Sequence, residues 1–478
     1  MTQQPLILYD ISSSSPDKAW SPNPWKARLA LNAKGIPYRT VWVEYPDIAG
    51  LCKRIGAEHT QMRPNGPHYT LPVVEDPNTG AIVSDSFKIV QYLDKTYPDT
   101  IRLIPDGTAA FQAMFIDVTG ERVMLPMLKT FIEKIVALLN PRARRPVRDQ
   151  VWKEVLDGLS LVSKWEAEGK GIFIMGDTPS FADLALLALL HWVKVVEGVE
   201  SKKWKDVLDT NDGHWGRLYQ ALEKWIRVDE ATADPHAYTI KIPRSSGNGV
   251  VIRMTSKDST ALSGPSTLTS RASASVSAHS TQRSSLMATA TVPVLRDPNT
   301  GAANSDSFNI VKYLDETYPD TIRLILDGTA AFQAMFACVA TEKVMIPMYK
   351  AFIDKIVHQL SPESSEYFRR TRKEAFGAKL EEIAPKGPAR DSVWEEMLDG
   401  LSQISGWVAE SKGAFVMGET PSSADLVLLA LLHWIKITEG TESKIWEDVM
   451  AADDERWERH WKALEKWVWV DEGSFEDV

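Results

Sequence analysis

The chain has 478 residues, of which 44% are hydrophobic and 25% charged, and a formal net charge of −10. The length allows about two to four domains, the composition is that of an ordinary globular protein, and the acidic excess excludes a nucleic-acid or anionic-membrane surface as the main business. Cys52 and Cys338 are the only cysteines, which excludes a disulfide framework and fits a reducing, cytoplasmic compartment.

The opening MTQQPLILYDISSSS has no basic region followed by an apolar run, so no signal peptide is read. Residues 6–9 read as a strand and 10–20 as a polar loop. Residues 22–34 read as a helix with Leu29, Ala30 and Leu31 at its middle and Gly35 as its stop. A β-branched and aromatic strand follows at 39–43 and a short helix at 47–55. Residues 71–75 and 81–83 read as strands around the turn PNTG at 77–80. Residues 84–97 then read as a helix carrying Phe87, Ile89, Val90 and Leu93 at helical spacing. This order of strands and helices is that of a thioredoxin-like α/β half-domain.

From 109 to 225 the pattern is helical. Phe111, Met114, Phe115 and Val118 form one stripe; 123–139, 152–165 and 182–196 supply others. The last, ADLALLALLHWVKVV, holds Asp183, His191 and Lys194, too short and too polar to span a bilayer, and reads as a buried core helix. Ser180 and Asp183 match a capping box in its acidic variant, recurring as Ser422 and Asp425. Trp192, Trp204, Trp215 and Trp225 recur at an offset of 242 as Trp434, Trp446, Trp457 and Trp467. They read as core and helix-packing residues, or as the wall of an apolar pocket.

Residues 76–103 return as 297–324 at an offset of 221, with 23 of 28 positions identical. This is an imperfect tandem duplication. Between the copies, 231–290 is rich in Ser, Thr and Ala and reads by composition as a linker. A second reading is a frame-shifted relic. Codons that encode 262–271, read from the third base, give VWAEYPDIA, which matches eight of nine residues of VWVEYPDIA at 41–49. Copy 1 in turn lacks 21 residues, within or near SPESSEYFRRTRKEAFGAKLEEIAPKG of copy 2. At its join, Arg142, Arg144, Arg145 and Arg148 form a basic run.

No HExxH, CxxC, P-loop or GxGxxG motif occurs, the nine histidines show no metal-ligand spacing, and no nucleophilic triad is evident. What remains is SPNPWKAR at 21–28, opening the first helix. Alone, Ser-Pro there is a helix cap. In this setting it also suits a thiolate, which gains from the exposed amides and dipole of a helix N-terminus, with a serine hydroxyl donating to the sulfur. A thiol of pKa ~8.5 would then be substantially ionised at neutral pH. Leu71 precedes Pro72, a candidate cis peptide, with the Leu71 backbone open to antiparallel pairing with a small peptide. The hydroxyls, carboxylate and amides of Ser84, Asp85 and Ser86 suit the two charged ends of an amino acid, or simply cap the last helix.

These residues, their order, and the all-helical second region with its Ser-x-x-Asp box resemble a cytosolic glutathione transferase. More narrowly, SPNPWKARLALNAKG followed by VWVEYP resembles the fungal etherase-related class, kin of bacterial β-etherases. The resemblance covers residues 5–230 and 291–472. It implies α/β plus all-α: a thioredoxin-like N-terminal domain and an all-helical C-terminal domain, present as an imperfect tandem repeat. The expected bounds are 1–100 and 101–230 for copy 1, the second about 21 residues short, a linker or relic over 231–290, a partial thioredoxin-like domain over 291–321 and a complete helical domain over 322–478.

The resemblance further implies that Ser21 is catalytic, donating a hydrogen bond to the glutathione thiolate. Leu71, before a cis Pro72, would bind the cysteinyl backbone. Asp85 and Ser86 would hold the γ-glutamyl end. Glutathione is then the co-substrate, beside a small hydrophobic or aromatic electrophile seated against the helical domain near the segment copy 1 lacks. No metal, nucleic acid or membrane is called for. A homodimer and an intramolecular pairing of the two copies both stay open.

In copy 2, Val292-Pro293 and Asp306-Ser307 survive, but the position of Ser21 falls at Ile242, and Ile82 and Val83 become Ala303 and Asn304, which weakens a core strand. Its helical region, with Tyr367, Phe368, Arg369 and Arg370, reads as complete. The expectation is one glutathione site, in copy 1. Two rivals stand beside this reading: a non-catalytic protein binding glutathione or aromatic ligands, and a non-functional fusion from a faulty gene model.

Overall fold

A computed structural model describes residues 4–15, 18–139, 151–228, 293–377 and 379–468. The stretch read as a linker or relic, with Ile242 and Val292, and the arginines of the copy 1 join lie outside the described residues.

Copy 1 opens with β1 (Leu6–Ile11), α1 (Pro22–Lys34), β2 (Tyr38–Val43) and α2 (Ile48–Ile55). A small hairpin, β3 (Gln61–Arg63) and β4 (Gly66–His68), precedes β5 (Val73–Asp76), β6 (Ala81–Ser84) and α3 (Ser86–Thr96). The main sheet runs β2-β1-β5-β6, parallel between β1 and β2 and antiparallel elsewhere. β1 is buried along its whole length, as expected of a strand covered on both faces.

The helical part comprises α4 (Ala109–Thr119), α5 (Leu125–Leu139), α6 (Trp152–Glu166), α7 (Phe181–Glu197) and α8 (Lys202–Leu222), with one π-helical turn at Gly120–Met124. α7 is the central helix, buried from Phe181 to Val193. Asp183 accepts the Ile174 amide at 2.8 Å, the Ser180 amide at 2.7 Å and the Ser180 hydroxyl at 2.8 Å. Asp425 takes the Val416 amide and the Ser422 amide and hydroxyl in the same way.

Three departures from the sequence reading have physical causes. β5 starts at Val73, not at residue 71, because Pro72 has no N–H to give to the ladder. α3 starts at Ser86, because Asp85 turns into the left-handed region (φ 76°) and caps the helix. The β3–β4 hairpin escapes the pattern because its strands are three residues long and β3 is wholly exposed.

Copy 2 keeps β7 (Val294–Arg296), β8 (Ala303–Ser305) and α9 (Ser307–Thr317), then α10 (Ala330–Ala340), α11 (Ile346–Ile356), α12 (Pro362–Phe376), α13 (Leu380–Ile383), α14 (Pro388–Ala409), α15 (Ser423–Glu439) and α16 (Lys444–Leu464). The sequence that copy 1 lacks supplies α12 and α13. β7 and β8 pair alone as a two-stranded ribbon in the register of β5 and β6. Val294 is 56% exposed, whereas its counterpart Val73 is fully buried. The expected weakening of a core strand therefore takes a different form: among the described residues there is no sheet core in copy 2 for Ala303 and Asn304 to weaken.

The two copies share one continuous apolar core. Phe111 of α4 stacks on Phe332 of α10 with ring centres 5.9 Å apart and meets the edge of Phe336 at 6.1 Å. Ion pairs join Arg122 to Glu342 and Lys343 to Glu121 around this seam. α14 lies along α4. Trp25, Trp215 and Trp457 are core residues at most 1% exposed, whereas Trp225, Trp434 and Trp467 are half-buried.

Candidate functional site

The sheet register brings three parts of the sequence to one place. Tyr9 of β1 faces Val73 of β5, and Val73 faces Ser84 of β6. One sheet end therefore carries the exit of β1 toward α1, the Leu71–Pro72 entry to β5, and the step from β6 into α3. Ser21, Leu71, Pro72, Asp85 and Ser86 all belong to these three junctions.

α1 is held tightly at this end. Arg28 donates to Asp10 of β1 at 2.7 Å, both side chains being buried, and also to Thr40 of β2 at 3.1 Å. On its far side α1 packs on α7, where Trp25 meets His191 edge-on at 4.6 Å. Asn32 donates to the carbonyls of Trp225 and Arg227 at 2.7 and 2.9 Å. Ser21 sits at the N-cap of α1, buried and extended (φ −77°, ψ 131°), and its side chain makes no capping hydrogen bond. The hydroxyl is thus not committed to the helix it opens.

The Leu71–Pro72 peptide is cis, and the Leu71 side chain is buried. Oδ1 of Asp85 accepts the Phe87 and Lys88 amides at 2.8 and 3.2 Å, so the carboxylate does the capping that its position allows. Ser86 is buried beside it. In copy 2, Asp306 repeats the cap with φ 74°.

Asp85 and Ser86 open onto a cavity of about 320 Å³ that neither copy forms alone. Copy 1 contributes Asp117 of α4; copy 2 contributes Trp407 of α14 and Glu410, which follows it. The Trp407 indole N–H donates to Asp117 Oδ2 at 2.7 Å, and Gln91 of α3 donates to Glu410 Oε2 at 2.9 Å. Burial raises the Asp117 carboxyl above its ordinary range against the pull of the Trp407 hydrogen bond. Lys26 of α1, buried and within charge range of Asp85 and Asp117, is pushed down to about 8 by burial, with both carboxylates opposing.

Lys26, Asp117, Trp407 and Glu410 are absent from the sequence-derived set. Lys26 stands inside the SPNPWKAR motif and could have been taken with Ser21. Asp117 meets Asp85 only through the packing of the helical part on the sheet part within copy 1, and Trp407 and Glu410 only through contact between copies, for which no local pattern exists.

The fold is that of a glutathione-transferase-like protein. The sequence model for the glutathione S-transferase N-terminal domain matches residues 17–100, and that for the C-terminal domain matches 143–225 and 331–467, together more than half of the chain. The chain belongs to the glutathione S-transferase family. It is similar to the glutathione S-transferase-like protein ustS of Aspergillus flavus, 29% identical over 263 residues, which span 47% of this chain and 92% of the relative. Among solved structures it is similar to glutathione transferase GSTFuA3 of Phanerochaete chrysosporium, 41% identical with a TM-score of 0.45, covering 48% of this chain and 100% of the other. It is likewise similar to CsGST63524 of Ceriporiopsis subvermispora, solved in complex with glutathione, 40% identical with a TM-score of 0.46, covering 48% and 100%. Among the described residues, no helix is long and apolar enough to cross a membrane.

Proposed function

We propose that copy 1 is a glutathione transferase site. The Ser21 hydroxyl donates to the sulfur of bound glutathione and favours the thiolate, whose proton leaves to solvent. The sulfur then forms a bond to an electrophilic carbon of a small apolar or aromatic molecule while that carbon's leaving group, an aryl ether oxygen in the etherase-like case, departs with the bonding pair. The Leu71 backbone pairs with the cysteinyl unit, Pro72 shapes that turn, and Asp85 and Ser86 take the γ-glutamyl end. A thiolate at the start of α1 gains from the unpaired amides of the first turn.

The observation that carries this reading is that Ser21, buried at a helix N-terminus, leaves its hydroxyl uncommitted at the sheet end that also holds Leu71–Pro72 and Asp85. The matched family domains support it. The domain bounds that go with it are 1–100, 101–230, 291–321 and 322–478, and a cytoplasmic location fits the two free cysteines. The test is conjugation of glutathione to an aryl halide by the full chain. Ser21→Ala is expected to lower kcat/KM by about 10- to 100-fold, the worth of one hydrogen bond to a charged group. Unchanged turnover in this variant rules the role out.

A further inference from the structure

We propose that copy 2 carries a binding site for an uncharged, flat aromatic molecule, apart from the glutathione site of copy 1 and independent of it. The site lies between α9, α10 and α15, on the surface that corresponds to the one α1 covers in copy 1.

The cavity is the first argument. It holds about 370 Å³, within the range of small-molecule pockets. Phe308 and Val311 of α9, Ala337 of α10, and Leu426, Val427 and Ala430 of α15 line it. The polar residues on its wall are Ser307, Thr341 and Ser423, and none of the described residues lining it is charged. A charged ligand would lose hydration there with no opposite charge to offset the loss. An apolar one with a phenol or carbonyl could use the Ser307 or Thr341 hydroxyl.

The uncovered surface is the second argument. In copy 1, α1 packs on α3 and α7, and Val90, Leu184 and Ala188 are fully buried. Their counterparts at the offsets of 221 and 242 are Val311, Leu426 and Ala430. Val311 and Leu426 are only half-buried, and Ala430 is exposed. The counterpart of α1 falls at 243–255, outside the described residues. Its sequence, PRSSGNGVVIRMT, has two glycines and neither tryptophan nor leucine, so it does not repeat the side chains that α1 brings to this surface.

A missing ring is the third argument, and it sets the ligand's chemistry. In copy 1, Phe87 meets Phe181 with ring centres 6.0 Å apart. Copy 2 keeps the first ring as Phe308, but Ser423 stands where Phe181 would be. The Ser423 hydroxyl donates to Gln333 at 2.6 Å. Ala337 likewise replaces Ile116. Thr341 for Gly120 and Val427 for Ala185 return less bulk than these two changes remove. A ligand ring placed against Phe308 would restore the aromatic pair that copy 1 makes from its own residues.

The test is fluorescence titration of the full chain with N-phenylnaphthylamine, an uncharged aromatic whose emission rises in apolar surroundings. Wild type is expected to bind the probe saturably, with a Kd that glutathione leaves unchanged. Ser423→Phe restores the ring of copy 1, and Ala430→Phe fills the cavity from an exposed position. Each should remove one equivalent of bound probe, or raise its Kd about tenfold or more, without lowering Tm. Ser423→Phe also deletes a buried hydrogen bond, so Ala430→Phe decides wherever Ser423→Phe lowers Tm. No saturable binding, displacement of the probe by glutathione, or unchanged affinity and stoichiometry in Ala430→Phe overturns the site.

Discussion

Arg28 of α1 and Asp10 of β1 are joined by a 2.7 Å ion pair with side chains 0% and 1% exposed. A helix start placed relative to a strand end is what a site at Ser21 requires, and this pair does the placing. Removing one partner of a buried pair strands the other charge, at a cost of about 3–5 kcal/mol. Asp10→Asn is therefore expected to lower unfolding free energy by about that amount in urea titration, and to weaken glutathione binding with it. A loss under 1 kcal/mol would mean that Thr40 and the surrounding rings carry the guanidinium without Asp10.

Ser21 should separate chemistry from stability. Its side chain makes no cap bond, so Ser21→Ala is expected to leave Tm almost unchanged while the thiol pKa of bound glutathione rises by roughly 1–2 units, the equivalent of one charge-assisted hydrogen bond. Ultraviolet absorbance of the thiolate against pH reads this directly. A variant that loses stability but keeps the thiol pKa would return Ser21 to the role of helix cap.

His191 should make the fold acid-sensitive. Burial, and secondarily Lys194, lowers its imidazole to about 4. The folded chain stays neutral there while the unfolded chain binds a proton below about 6.5. Acid thus favours unfolding: stability present above pH ~6.5 is lost as pH falls toward 4, by about 3 kcal/mol. Unfolding free energies of wild type and His191→Gln, compared between pH 4 and 7, should differ by this slope; parallel curves would refute it.

The two capping carboxylates should weigh alike. Asp183 and Asp425 each receive two backbone amides at 2.7 and 2.8 Å with a serine hydroxyl. Alanine at either position leaves two buried donors unmatched, costing about 3 kcal/mol or more. Guanidinium denaturation of Asp183→Ala and Asp425→Ala should give similar losses. A silent Asp425→Ala would show that copy 2 does not need its central helix start.

Phe332 should hold the copies together. Its ring contacts both Phe111 and Phe115 across the seam and is fully buried. Phe332→Ala is expected to cost about 3–5 kcal/mol and to split a single calorimetric transition into two. One cooperative transition in the variant would place the coupling elsewhere.

Much of copy 1 was legible because its signals are local. The stop at Gly35, the stripe Phe87, Ile89, Val90 and Leu93, and the Ser180–Asp183 box each follow from periodicity or end-group chemistry within a few residues. Boundaries moved where a single residue changed the backbone rule, as at Pro72 and Asp85. The junction residues were legible as a set because strands and turns order them along the chain. The copy 2 part of the cavity lining was not: Trp407 stands 290 positions from the Asp117 it bonds, and only the packing of α14 on α4 brings them together.

The bare ribbon of β7 and β8 has a consequence for how this chain can change. Val294 has lost the neighbours that enclose Val73, so substitutions along the ribbon cost little, and drift there is close to free. α14 and α10 are pinned by another copy's cavity and core. Tolerance to mutation should therefore be divided within copy 2 itself: permissive in its first elements and strict on the helix faces that serve its twin.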